Sequence, residues 1–146
     1  MRNQHSSCKI WRAFADSFTN QPFGAAYVSK LSFEDINVQD YRNQFYTPQQ
    51  SHLLLDVRTI EEFEEARIPG AVNIPLDELP GRVEEIAQIA GDAPIVVVCR
   101  SGSRSIMAAQ ILRYSGLTQM DIFNLDTGTL GWARHRGPLD RGPQTD

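Results

Sequence analysis

Nothing constrains the fold of this chain more than the run Pro94-Ile95-Val96-Val97-Val98-Cys99. Four consecutive β-branched residues between a proline and a polar, glycine-containing loop read as a strand buried on both faces. Such strands belong to the interior of parallel sheets. The loop Arg100-Ser101-Gly102-Ser103-Arg104-Ser105 leads into a helical segment, Ile106-Met107-Ala108-Ala109-Gln110-Ile111-Leu112. Cys99 therefore stands at the carboxyl end of a central strand and just before a helix N-terminus, where open α/β sheets place their ligands.

That placement has chemical consequences. A free cysteine titrates near pH 8.5, and helix N-termini or neighbouring arginines pull it down to roughly 3.5–7.5. Arg100 and Arg104 flank the sulfur. The backbone N–H groups of Ser101, Gly102, Ser103, Arg104 and Ser105 can curl round it as an anion-binding nest. Gly102 permits conformations that a β-carbon forbids. The expectation is a nucleophilic Cys99 in an anion cradle, rather than an inert buried thiol.

Four blocks in order give the chain a family resemblance. They are Leu53-Leu54-Leu55-Asp56-Val57-Arg58; Glu62-Phe63 followed by Ile68-Pro69-Gly70-Ala71-Val72-Asn73-Ile74-Pro75; Cys99 to Ser105; and Asn124-Leu125-Asp126-Thr127-Gly128 with Trp132. Together the chain resembles the single-domain rhodanese-like sulfurtransferases. It departs from their pattern at Ala66-Arg67, where the family often has Gly-His, and at Thr127-Gly128, where it often has Gly-Gly.

The resemblance implies a three-layer α/β sandwich with a five-stranded parallel sheet and helices on both faces. It implies a Cys99 persulfide as the intermediate. The sulfur donor would be thiosulfate or a related persulfide, and the acceptor cyanide, a small thiol or a protein thiol. Asp56 and Arg58 are expected to support the site structurally. Arg104 is expected either to touch substrate or to pair with Asp56 or another acid. No cofactor is expected. A sulfur-relay or regulatory module serving one protein partner is the alternative. Phosphatases and arsenate reductases are the more distant one, because their Cys-x5-Arg loop is one residue longer than the Cys99–Arg104 spacing here.

Composition narrows the choice further. At 146 residues the chain is one domain with extensions. A domain of that size buries about two-thirds of its unfolded surface and needs no disulfide to fold. The net charge of −4 argues against a general nucleic-acid binder, which presents a basic face. Cys8 and Cys99 read as two free thiols. His5, His52 and His135 are too scattered for a metal site. No apolar run reaches the roughly 18 residues of a membrane span. The first thirty residues lack the apolar core of a secretory signal, so a cytoplasmic protein is expected. Arg2, Lys9 and Arg12, with no acid before Asp16, give the alternative of a transit peptide.

Along the chain, residues 1–35 read as an extension, with Trp11, Phe14, Ala15 and Phe18 at helical spacing as a docking helix. Residues 36–139 form the domain and 140–146 a flexible tail, the polar character beginning at Gly137-Pro138. Expected strands lie near Leu31–Ile36, Leu53–Val57, Ala71–Ile74, Ile95–Val98 and Ile122–Leu125. Expected helices run from Val38 to about Phe45 (capped by Asn37), Ile60 to Ala66 (with a Thr59/Glu62 capping box), Asp77 to Ile89 (with a turn or a kink at Pro80-Gly81), Ser105 to Tyr114 and Gly128 to Ala133. In the fourth helix the face of Ile106, Ala109, Ile111 and Leu112 is expected on the sheet, and in the last Trp132 is expected in the core.

Overall fold

A computed structural model describes residues 32–144. The docking helix expected near Trp11–Phe18, and Cys8, lie outside the described residues. Strands and helices alternate: β1 (Glu34–Ile36), α1 (Val38–Tyr41) continued by a π-helical turn (Arg42–Tyr46), β2 (Leu53–Asp56), α2 (Ile60–Glu65), β3 (Val72–Asn73), a 3-10 turn (Leu79–Gly81), α3 (Val83–Ala90), β4 (Ile95–Val98), α4 (Ser103–Tyr114), β5 (Ile122–Leu125) and α5 (Gly128–Arg134). The five strands form one parallel sheet in the order β1-β5-β4-β2-β3, as the alternating pattern requires. Among the described residues, no helix is long and apolar enough to cross a membrane.

Side chains alternate across each strand and so divide the core in two. Leu53, Leu55, Ile95, Val97 and Cys99 face α3 and α4, packing with Ile86, Ala108, Ala109 and Leu112. Leu54, Val96 and Val98 face the other way, against Phe63, Leu125, Trp132 and Tyr41. Every residue of Ile95–Val98 is fully buried, so β4 is the central strand that its composition demands.

Local signals explain most helix starts. The Asn37 side chain accepts from the Asp40 N–H at 2.8 Å. In the Thr59/Glu62 box, Glu62 Oε2 accepts from Thr59 N at 3.0 Å and Thr59 Oγ1 from Glu62 N at 3.3 Å.

Two expectations are corrected. The helix expected over Asp77–Ile89 is a 3-10 turn at Leu79–Gly81 followed by α3. Pro80 has no N–H to donate and its ring crowds the preceding turn, so the chain restarts at Val83. In α4 the buried stripe is Ser105, Ala108, Ala109 and Leu112, whereas Ile106 is 38% exposed and Ile111 only partly covered. That stripe keeps the i, i+3, i+4, i+7 spacing. A polar residue, Ser105, heads it, which an apolar-only count misses.

Trp132 is fully buried, its ring edge-on to Tyr41 at 5.8 Å and its Nε1–H donating to Pro138 O at 2.7 Å. Beyond it, Arg67 and Asp140 form an antiparallel bridge with both backbone bonds at 2.9 Å. Gly142 N donates to Glu64 O at 2.7 Å. The segment after Gly137 is thus laid along the C-terminal end of α2 as far as Gly142.

Candidate active site

The loop after β4 is built round the sulfur of Cys99. Gly102 N–H reaches Sγ at 3.1 Å, and the Ser105 hydroxyl lies 3.4 Å from it. The backbone N–H groups of Ser101 and Ser105 also favour its charged form. Gly102 adopts φ +109°, and a β-carbon there would collide with the carbonyl oxygen of Asp126. Beneath the loop, the start of α5 holds the strand end: Thr129 N donates to Cys99 O at 2.9 Å and Leu130 N to Arg100 O at 3.0 Å. Gly128, at φ +62°, allows this approach, since a β-carbon would strike both carbonyls.

Cys99 is only 1% exposed, while Arg100, Ser101 and Ser103 on the rim are open to solvent. Burial pushes the Cys99 thiol up. The Ser105 hydroxyl and the N–H groups of Ser105, Gly102 and Ser101 more than offset it and hold the thiol below its ordinary value. The sequence offered two sources for this pull, arginine charge and the loop's N–H groups. The leading downward pull comes from hydrogen bonds, because Arg100 points outward and Arg104 is already engaged.

Arg104 donates to both oxygens of Glu62, at 2.7 and 2.8 Å. The acid that pairs with it is thus Glu62 and not Asp56. The hydrogen bond from Arg104 is the main reason the Glu62 carboxyl is pulled down to about 2. A carboxylate with its folded pKa below the unfolded value of about 4.3 contributes stability that is complete above that pH and lost as pH falls toward 2. Between pH 5 and 3, wild-type protein is expected to lose about 0.5–1 kcal/mol more stability than Glu62→Gln, the figure reduced for partial exposure of the pair. Urea midpoints at the two pH values check this, and equal losses would contradict it.

Asp56 and Arg58 do not meet the sulfur. They form a buried fork: Arg58 Nη2 to Asp56 Oδ2 at 2.7 Å and Nε to Oδ1 at 3.0 Å, with side chains 0% and 6% exposed. The remaining guanidinium donors bond Ala66 O and Glu62 O. The fork stands at the end of β2, where Asp56 is in register with Val98, and ties the C-terminal part of α2 to that strand end. A cavity of about 250 Å³ opens there, lined by Arg58, Glu62, Arg100, Thr129, Leu130 and Leu139 among others.

A sequence model of the Rhodanese-like domain matches residues 37–135. The chain belongs to that family. This rhodanese-like domain is 38% identical over 87 residues to a sulfurtransferase of Allochromatium vinosum, covering 60% of this chain and 77% of that protein. It is 36% identical over 101 residues to the putative sulfur carrier protein YrkF of Bacillus subtilis, covering 69% of this chain and 51% of that one. Of several other curated relatives the chain spans well under half the length. Its fold superposes on a thiosulfate sulfurtransferase of Pseudomonas aeruginosa with a TM-score of 0.68 at 27% identity, covering 84% of this chain and 23% of that one.

Of the residues singled out from sequence, the rhodanese-like fold brings Cys99, Ser101, Gly102 and Ser105 together round the sulfur. Arg100 and Ser103 stand on the rim, Arg104 turns to α2, and Asp56 and Arg58 buttress. Sequence reading missed the site roles of Glu62, Asn124 and Thr129. The Glu62 signal was absorbed by its capping box. Asn124 lay in the closing block without an assigned role.

Proposed function

We propose that this rhodanese-like domain is a sulfurtransferase that carries a sulfane sulfur on Cys99. The convergence of backbone and hydroxyl donors on Sγ supports this, because they favour the anionic sulfur in a site that burial would otherwise keep neutral. The thiolate attacks the outer sulfur of thiosulfate. A new S–S bond forms to Cys99, the old one breaks, and sulfite leaves with its electron pair. An acceptor nucleophile, cyanide or a thiolate, then attacks the outer sulfur of the persulfide and returns the Cys99 thiolate. No general base is needed once the thiolate exists. The same N–H groups serve the persulfide. The exposed Arg100, on the wall of the neighbouring cavity, suits an anionic donor. Near-complete burial of Cys99 favours small donors.

Incubation with thiosulfate followed by intact mass spectrometry tests the reading. One added sulfur atom, removed by cyanide, is the expected result. No gain at saturating donor would overturn it.

A second reading, delivery to a protein thiol, draws on the first turns of α4. Ile106 and Met107 are 38% and 53% exposed there, next to the loop, and exposed apolar side chains beside a site suit a docking partner. Loading without brisk cyanide turnover would favour this reading.

A further inference from the structure

Ser105 carries one hydroxyl proton and has three acceptors within reach. Its Oγ lies 2.5 Å from Asn124 Oδ1, 2.9 Å from Gly102 O and 3.4 Å from Cys99 Sγ. The orientation of the Asn124 amide decides what the first contact is. Asn124 Nδ2 donates to Asp35 Oδ1 at 2.9 Å. A carboxylate only accepts, so the amide nitrogen must face Asp35 and the amide oxygen must face Ser105. Asn124 can then only accept from the hydroxyl. The contacts cross three adjacent strands, since Asn124 on β5 is in register with Val97 on β4 and with Asp35 on β1. Ser105 and Asn124 are 0% and 1% exposed, so water does not mediate.

We propose that Asn124 is a positioning residue that competes with Cys99 Sγ for the single Ser105 proton, and so sets how readily the sulfur ionises. In the resting thiol, Ser105 donates to Asn124 and Cys99 S–H donates to Ser105 Oγ. When the sulfur loses its proton, the Ser105 proton swings to Sγ, and Asn124 Oδ1 gives up its donor. Asn124 thus acts as a brake on ionisation, and Ser105 is the group through which it acts. The charged groups around the sulfur are Arg100 on the loop, Arg104 with Glu62 of α2, the Asp56–Arg58 fork after β2, Asp126 after β5 and Asp35 on β1. The hydroxyl's hydrogen-bond partners are the three neutral or sulfur acceptors named above.

The inference deepens the sulfur-transfer reading, in which the ionised sulfur is the nucleophile. Its test uses no sulfur donor, so the two fail separately. The rate of Cys99 alkylation by iodoacetamide is measured against pH in the full chain, with the adduct site confirmed by peptide mass spectrometry. Ser105→Ala is expected to raise the midpoint. Asn124→Leu is expected to lower it by about half a unit to one unit, a threefold to tenfold faster reaction below the midpoint. The double variant Ser105→Ala/Asn124→Leu should match Ser105→Ala alone. An unchanged or raised midpoint in Asn124→Leu, or an equal shift in the Ser105→Ala background, would overturn the proposal. If Asn124→Leu does not fold, Asp35→Ala carries the test. This exposed change frees the amide to turn Nδ2 toward Ser105. A lowered midpoint that shrinks when Ser105 is alanine supports the proposal, and an unchanged or raised one overturns it.

Discussion

Cys99→Ser abolishes sulfur loading from thiosulfate, to below the detection limit of intact mass spectrometry. The serine side chain has nearly the same shape, and Gly102 N and Ser105 Oγ still have an oxygen to meet, so the fold survives. The chemistry does not survive. A serine hydroxyl does not ionise near neutral pH in the absence of an adjacent base, and among the described residues no histidine takes part in the hydrogen bonds that surround Sγ. Cys8→Ser serves as the control and should load nearly as well as wild type. Equal loss in both variants would move the sulfur-bearing role away from the loop. Loading retained by Cys99→Ser would end the proposed mechanism.

Asp56→Ala is expected to destabilise the domain by about 3–5 kcal/mol, the usual cost of leaving a buried charge without its partner. Arg58 would keep two carbonyl acceptors, Ala66 O and Glu62 O, but no counter-charge at a position only 5% exposed. For a domain of this size the melting midpoint should fall on the order of 10–20 °C. Thermal unfolding followed by circular dichroism measures it. Asp56→Leu/Arg58→Met should recover part of the loss, because removing both charges removes the desolvation penalty along with the attraction. A loss under 1 kcal/mol in Asp56→Ala would show that the fork is not the buttress its geometry describes.

Much of this molecule can be read from its residues. Ile95–Val98 announces a doubly buried strand, and the structure makes it the middle of five parallel strands. The caps at Asn37 and Thr59 sit where their side chains require. Local chemistry of this kind is legible because the partners are three residues apart. Pro80 was legible as an interruption but not as a new helix start at Val83, since the choice between kink and restart depends on what packs below.

The site divides along the same line. Cys99, Gly102 and Ser105 belong to one loop, so their meeting follows from a strand that stops and a helix that starts. The pairing of Arg104 with Glu62 joins residues 42 positions apart, and that of Asn124 with Asp35 joins residues 89 apart. Sequence could offer Arg104 a choice of acids and could assign Asn124 nothing.

The order of residues along the chain determined, by itself, the buried parallel strand, the cysteine at its end and the turn that brings N–H groups toward the sulfur. These depend on side-chain branching, on the lack of a β-carbon at Gly102 and on backbone donors that are always present. Tertiary structure alone decided which acid pairs with Arg104, which face of α4 is buried and which side chain of β5 meets the Ser105 hydroxyl. Each of those brings together groups distant in sequence, placed by how strands and helices pack rather than by any local preference.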